Sequence, residues 1–228
     1  MVAFDPATQT GFYMMHTTPG WPNPPSSQNT YDNDDYAQDF FCINIDVTNL
    51  NVIGKNLFVT RPQIYFNSFT DAVLAKTPDL KNALNKQYNS TASKIHTSLK
   101  SRRGQSFEFF FKNREADVDI WADLVAPEMK SSMFVETWLR DTAAVASCGT
   151  YKVQMVGSVT FGSQTWKETQ DHCKWGVSEI GNFACFSDIN FQASQANRGG
   201  GAICMRDSGV AQALLDSITT MSEKVVCK

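Results

Sequence analysis

Three neighbouring stretches decide how this chain is read: Asp171-His-Cys-Lys-Trp175, Gly181-Asn-Phe-Ala-Cys-Phe-Ser-Asp-Ile-Asn190 and Arg198-Gly-Gly-Gly-Ala-Ile-Cys-Met-Arg-Asp207. Phe183 to Phe186 and Ala202 to Met205 are short apolar runs bounded by Gly, Ser, Asp and Asn, which is the pattern of strands between turns. Val210, Ala213, Leu214 and Ile218 then recur at helical spacing, so Gly209 to Glu223 reads as a closing helix. Strand, loop, strand and helix in this order point to a sheet covered by helices.

The same alphabet runs through the rest of the chain. Gly11 to His16 is strand-like and runs out at Pro19, and the Pro-, Asn-, Ser- and Asp-rich residues 19–35 form a loop. Phe40 to Ile45 is a strand, Val47 to Leu57 a helix, and Val59 to Phe66 is extended around Pro62. Helical stretches are expected near Ala72 to Ala75 and Leu80 to Leu84. Ile95 to Leu99, Phe107 to Phe111, Met133 to Leu139 and Tyr151 to Phe161 read as strands. Arg114 to Leu124 reads as a helix that stops near Pro127. The fold class is therefore α/β (α+β mixed sheet). A weak echo relates two parts of the chain. Gly11-Phe-Tyr-Met14 before Phe40-Phe-Cys42 resembles Gly181 to Cys185 before Gly201 to Asp207, each a strand, loop, cysteine-bearing strand and possible helix.

Composition limits the function classes. With 42% apolar and 12% aromatic residues the 228-residue chain can build a real core, which excludes disorder. No run approaches the roughly 18 apolar residues that a membrane span needs. A net charge of −3 argues against a general polyanion binder at neutral pH, and less so at pH 5, where histidines charge and carboxylates begin to neutralise. The opening Met1-Val-Ala-Phe-Asp-Pro6 has no basic region and is not a signal peptide. Five of the six cysteines crowd residues 148–227, none in a CxxC pair, so no zinc site is expected. Asn89-Ser-Thr91 is a glycosylation triplet that matters only in a secreted chain.

The sharpest chemical feature is His172-x-Lys174. On a strand, residues i and i+2 point to one side, so an imidazole and an ammonium would face one pocket. Imidazole can attack phosphorus or pass a proton near its own pKa. An ammonium can hold a nonbridging oxygen as charge develops, with no metal. The plainer alternative is a surface His and Lys sharing a strand face. Asp188 and Asn190 have the same spacing and could orient an imidazole and bind a phosphate oxygen, or could be turn residues. Arg198 with Gly199 to Gly201 could cradle an anion, or be a hairpin loop. His16 could reach the same pocket or be a hydrogen-bonded loop histidine. His96 reads as solvated. Cys173 points away from its neighbours on a strand, which argues against a thiol nucleophile. Lys100, Arg102 and Arg103 form a basic cluster that could touch a phosphate backbone, with a solvated loop as the plainer role.

These residues resemble a known family. The Asp171 to Trp175, Phe183 to Asn190 and Arg198 to Cys204 segments look like the C-terminal signature of deoxyribonuclease II. Gly11-Phe-Tyr-Met-Met-His16-Thr-Thr-Pro19 resembles that family's internal GFWLxHSxPxFP stretch, Phe40-Phe-Cys42 the strand that follows it, and Arg114 to Pro127 its central helix. The resemblance implies a phospholipase D-like pseudo-dimer. Residues 1–90 would be the remainder of the first half, whose front is missing, and residues 91–228 the second half carrying the HxK. It implies an acid endonuclease that cuts double-stranded DNA without metal or other cofactor through a histidine phosphoenzyme and leaves 3′-phosphate ends. His172 and Lys174 match the C-terminal HxK. The resemblance also pairs Cys185 with Cys204 and Cys148 with Cys227, leaves Cys42 needing a partner outside the chain, and implies a lysosomal or secreted protein with no membrane association.

The departures matter as much. The family's first HxK lies upstream of the stretch with which this chain begins, and Cys173 and Gly176 stand where the family usually has Ser and Cys. The expectation is a deoxyribonuclease II-like enzyme shortened at its front, with His172 and Lys174 catalytic and Asp188, Asn190, Arg198 and His16 around the substrate. A homodimer could complete such a site. The competing reading is a catalytically dead relative kept for binding.

Overall fold

The computed structural model describes residues 1–23, 35–88, 92–139 and 148–223. Strands β1 (Val2–Asp5), β2 (Thr10–His16) and β3 (Phe40–Asp46) form a small antiparallel sheet. Asp46 ends β3 and starts α1 (Val47–Thr60): its carboxylate accepts the Asn49 N–H, while the Asn49 side chain accepts the Asp46 N–H in return. The short helices α2 (Asp71–Leu74) and α3 (Pro78–Leu84) follow, and α3 packs so closely on α1 that only a glycine fits at Gly54, whose Cβ would meet the Leu80 backbone.

Strands β4 (Lys94–Lys100) and β5 (Ser106–Lys112) are a hairpin at one end of a nine-stranded mixed sheet. The remaining strands are β6 (Met133–Thr137), β7 (Val153–Phe161), β8 (Gln164–Lys167), β9 (Lys174–Ser178), β10 (Ala184–Ser187), β11 (Gly200–Met205) and β12 (Ile218–Met221). Their order is β12-β7-β6-β9-β10-β11-β5-β4, with β8 against β7. Only β6–β7 is a parallel pair among the described strands. Helix α5 (Ser208–Ser217) covers β9 and β10, and Asp207 caps it by accepting the Gly209 and Val210 N–H groups. The fold is thus a mixed α+β arrangement with few helices. The two echoing segments behave alike locally, since β2–β3 and β10–β11 are both antiparallel pairs that lead into an Asp-capped helix.

Side chains alternate sides along a strand, and β5 uses both. Phe107, Phe109 and Phe111 join one core with Tyr13, Ile43, Leu50, Leu80 and Ile203, while Phe110 joins another with Trp121, Val135, Phe183 and Cys185. A third cluster gathers Val156, Trp175 and Val177 under α5. The first of these cores draws on residues from both sides of position 90. Cys185 and Cys204 lie directly opposite each other on β10 and β11 and form a disulfide with their Cα atoms 3.9 Å apart.

Three expected elements differ. The helix over Arg114 to Leu124 is a 3₁₀ turn at Arg114–Ala116, broken by Asp117 in the left-handed region (φ 47°). The chain restarts where Asp119 accepts the Trp121 and Ala122 N–H groups, makes a wide turn over Trp121–Val125 and enters α4 (Ala126–Met129). Pro127 therefore opens a helix instead of stopping one, since a first-turn proline lacks only an N–H that has no partner there. The extended reading of Val59 to Phe66 fails at its start, because α1 runs through Thr60 and ends at left-handed Arg61 before Pro62. The closing helix stops at Ser217, where β-branched Ile218 and Thr220 pair with β7.

Gly201 faces Phe111 across β11–β5, and a Cβ there would lie 2.3 Å from the ring. Gly201→Ala should cost about 1–3 kcal/mol in denaturant unfolding, whereas Gly149→Ala, with open space around its Cβ position, should change stability by less than about 0.5 kcal/mol.

Candidate active site

Four consecutive residues before β3 hold the HxK segment. Ala37 makes an isolated parallel bridge to Asp171: its N–H donates to the Gln170 carbonyl (3.2 Å), and its carbonyl accepts the His172 N–H (2.9 Å). Asp39 accepts the Lys174 N–H at 2.8 Å. Tyr36 stacks on the His172 ring with centroids 4.2 Å apart, and Trp138 meets the same ring edge-on at 4.5 Å. Gln38 Nε2 lies 3.0 Å from His172 Nδ1. His172 stands just ahead of β9, and Lys174 begins it. Both side chains are buried, 8% and 9% exposed, and Lys174 Nζ donates to the His172 carbonyl at 2.7 Å. One ammonium proton is thus spent on the His172 backbone.

Asp188 follows β10, is buried, and accepts the Gly201 N–H at 2.7 Å. It does not orient the imidazole; Gln38 holds that position. The Asp188 charge is nevertheless felt by Lys174, and Arg198 and Lys174 in turn act on Asp188. Asn190 is buried, and its Oδ1 has no hydrogen-bond partner. Of the Arg198-Gly-Gly-Gly201 run, Arg198 is exposed, Gly200 packs on Asp188 and Ile189, and Gly201 packs on Phe111. Gly199 packs on the Thr60 carbonyl, so close packing demands all three of these glycines, and the Gly201 N–H that could have met an anion is used by Asp188.

Sequence reasoning missed two groups here. One is Gln38. The other is Lys112, fully buried at the end of β5, whose ammonium donates to the carbonyls of Gln195 (3.0 Å), Ala196 (2.7 Å) and Arg198 (2.6 Å). Strand alternation puts Lys112 on the Phe110 face, beneath this loop. A lysine closing an apolar run was the available signal, but its target lies more than eighty residues away.

Other expected residues sort as follows. His16 packs against Trp21 and Phe40, and its Nδ1 is buried without a hydrogen-bond partner. It reaches the HxK only through its neighbour Thr17, which donates to Gln38 Oε1 at 2.8 Å. His96 is not simply solvated, since it pairs with Glu108 at 2.7 Å and stacks on Phe110. Cys173 is a buried free thiol, as expected of a residue facing away from the pocket, and burial pushes its pKa far up. Cys42 is free and exposed. Cys148 is disulfide-bonded, while Cys227 and the Asn89-Ser-Thr91 triplet lie outside the described residues. Lys100, Arg102 and Arg103 are exposed around the β4–β5 turn. Among the described residues no group of three or more His, Cys, Asp and Glu gathers as a metal site, and no helix is long and apolar enough to cross a membrane.

The sequence profile of the family Deoxyribonuclease II matches residues 1–224. The chain belongs to the deoxyribonuclease II family. It is 31% identical over 233 residues to a putative deoxyribonuclease-2 of Burkholderia thailandensis, covering 95% of this chain and 63% of that protein. It is 33% identical over 204 residues to deoxyribonuclease-2 of Caenorhabditis elegans, covering 87% and 54%. Plancitoxin-1 of Acanthaster planci is 31% identical over 228 residues, covering 96% and 63%. The chain thus spans less than two thirds of the length of these deoxyribonuclease II relatives.

The surroundings of this deoxyribonuclease II HxK segment are rich in buried carboxyls. Burial pushes Asp39 up to about 7, partly opposed by the Lys174 N–H and charge. Glu136 on β6 is fully buried with neither oxygen hydrogen-bonded, and burial plus the charges of Asp171 and Glu168 raise its pKa well above the carboxylate range. Burial also raises Asp171 and Asp188, and raises Asp119 to about 6. A carboxyl whose folded pKa is raised contributes stability that is full below its unfolded pKa near 4 and is lost as pH climbs through the folded value. Burial lowers the pKa of half-buried His16 and of the Met1 ammonium, which act in the opposite sense, two groups against the five carboxyls.

Thermal unfolding should therefore show a melting temperature several degrees higher at pH 5 than at pH 8, with Glu136→Gln raising stability at pH 8 and flattening the slope. Lys112→Met should lower stability by about 2–4 kcal/mol, because three carbonyls lose a charged donor, and should admit proteolytic cleavage in the 195–198 loop.

Proposed function

We propose that this chain carries the C-terminal catalytic part of a metal-independent acid endonuclease acting on double-stranded DNA. Residues 1–90 would be the remainder of one phospholipase D-like half and 91–228 the other. The observation that carries this reading is the pinning of His172 and Lys174 by residues 36–39, within a family match that covers both segments. Scissile chemistry needs two imidazoles. One attacks phosphorus, forming a P–N bond while the P–O5′ bond breaks. The other gives its proton to the departing O5′. Water then gives a proton back to the second imidazole and attacks phosphorus, so that a new P–O bond forms as the P–N bond breaks, freeing the first imidazole and leaving a 3′-phosphate. His172 supplies one of the two roles, and Lys174 holds a nonbridging oxygen with its remaining ammonium protons. Arg198, exposed beside the buried Asp188, meets the DNA backbone, and Asn190 and His16 line the approach. The second histidine belongs to the other HxK that the family resemblance implies, in the same polypeptide or in a second copy of it. A lysosomal or secreted setting agrees with the Cys185–Cys204 disulfide, because disulfides persist in oxidising compartments.

A second reading, a noncatalytic DNA-binding relative, is favoured by the burial of both HxK side chains and by the bond from Lys174 Nζ to a backbone carbonyl.

Supercoiled plasmid should be nicked near pH 5 with chelator present, and the rate should fall as pH passes 7. His172→Ala should reduce nicking by at least about 100-fold, and Lys174→Met should also reduce it. Equal nicking by wild type and His172→Ala would overturn the enzymatic reading. DNA binding with no nicking by this chain, alone or extended upstream, would establish the second reading instead.

A further inference from the structure

The amide of Gln38 meets the His172 ring, with Nε2 3.0 Å from Nδ1. That amide is itself aimed. The Thr17 hydroxyl accepts the Asp39 N–H at 2.9 Å, and its own proton goes to Gln38 Oε1 at 2.8 Å. With the amide oxygen engaged by Thr17, the NH₂ end faces the imidazole. An amide N–H can only donate, so Nδ1 must accept. Tyr36 stacked on one face and Trp138 at the edge prevent the ring from turning to exchange its nitrogens. The His172 N–H, held by the Ala37 carbonyl, fixes the backbone beneath it.

We infer that Gln38 is the positioning residue of His172, and that Thr17 sets the Gln38 amide so that the neutral imidazole carries its proton on Nε2. This rests on the nuclease reading only for its consequence in catalysis. A neutral ring with Nε2–H has no lone pair on that nitrogen, so it cannot attack phosphorus through it. The imidazolium has a proton on both nitrogens and is accommodated only if the amide turns its oxygen to Nδ1. The Gln38 amide therefore couples the protonation of His172 to its own orientation. Among the described residues, Asp39 and Asp171 stand on the two segments that hold the ring, and Lys174 lies two residues on.

The test is long-range proton–nitrogen correlation NMR on the histidine-labelled chain from pH 5 to 8, read at His172. Wild type should show the Nε2–H tautomer in the neutral ring. Gln38→Glu, which keeps the size of the side chain, should switch the neutral ring to Nδ1–H. It should also bind the proton at least about tenfold more tightly, one pKa unit or more upward, because a carboxylate then faces Nδ1. Thr17→Val should leave a mixture of tautomers, because the amide is no longer aimed. A wild-type neutral ring protonated on Nδ1, or a tautomer and titration midpoint unchanged in Gln38→Glu, would overturn the inference. The pH limb of plasmid nicking should move upward with the same variant, whereas a side chain that only fills space would leave it in place. Because the tautomer is read without DNA, an inactive wild type with the expected spectra would count against the nuclease reading alone.

Discussion

The aromatic run of β5 has to satisfy two cores at once. Phe107, Phe109 and Phe111 go to one side, where β2, β3 and α1 lie, and Phe110 goes to the other, where Trp121, Phe183 and the Cys185–Cys204 disulfide lie. A shift of one residue in register would exchange those sets and bring Lys112 into an apolar core. The register is also guarded by packing, since Gly201 opposite Phe111 has no room for a side chain. With β5 placed in this way, Lys112 emerges under the 195–198 loop and fixes it by three charge-assisted hydrogen bonds. The arrangement around Asp188 and Arg198 thus follows from the alternation of five neighbouring residues.

The HxK segment depends on a different device. His172 and Lys174 lie where β9 begins, and the segment ahead of a strand has no ladder of its own to hold it. Residues 36–39 supply one. They use main-chain atoms of Ala37, a carboxylate at Asp39, an amide at Gln38 and an aromatic ring at Tyr36, one contact from each residue in turn. A buried imidazole tolerates this enclosure because Nδ1 and its backbone N–H have hydrogen-bond partners. The same enclosure concentrates carboxyls. Asp39, Asp171 and Glu136 are removed from water, and the neutral acid is their less costly form. The surroundings of the HxK segment therefore favour the neutral acid, and they lose stability as pH rises.

The units β2–β3–α1 and β10–β11–α5 share a local pattern. In both units an aspartate closes the second strand and caps the helix, by a capping box at Asp46 and by direct acceptance at Asp207. The units differ in their cysteines. Cys185 and Cys204 face each other across their pair, whereas Cys42 faces Met14 and remains free.

Much of this was legible from the residues alone. Period-two runs such as Phe40 to Ile45 and Phe107 to Phe111 became strands, because alternation and β-branched or aromatic content act locally. The His-x-Lys spacing singled out two residues that lie buried where β9 begins, with Lys174 Nζ on the His172 carbonyl. Local rules failed where a tertiary partner outweighed them. Asp117 and Asp119 broke a helical pattern, and β7 captured Ile218 to Met221 from a helix. The sequence by itself determined which residues could form strands, and it singled out one histidine and lysine two positions apart. Only the tertiary structure decided what holds that pair, because Gln38 meets a histidine 134 residues away, and no periodicity reports a hydrogen bond made across a folded chain.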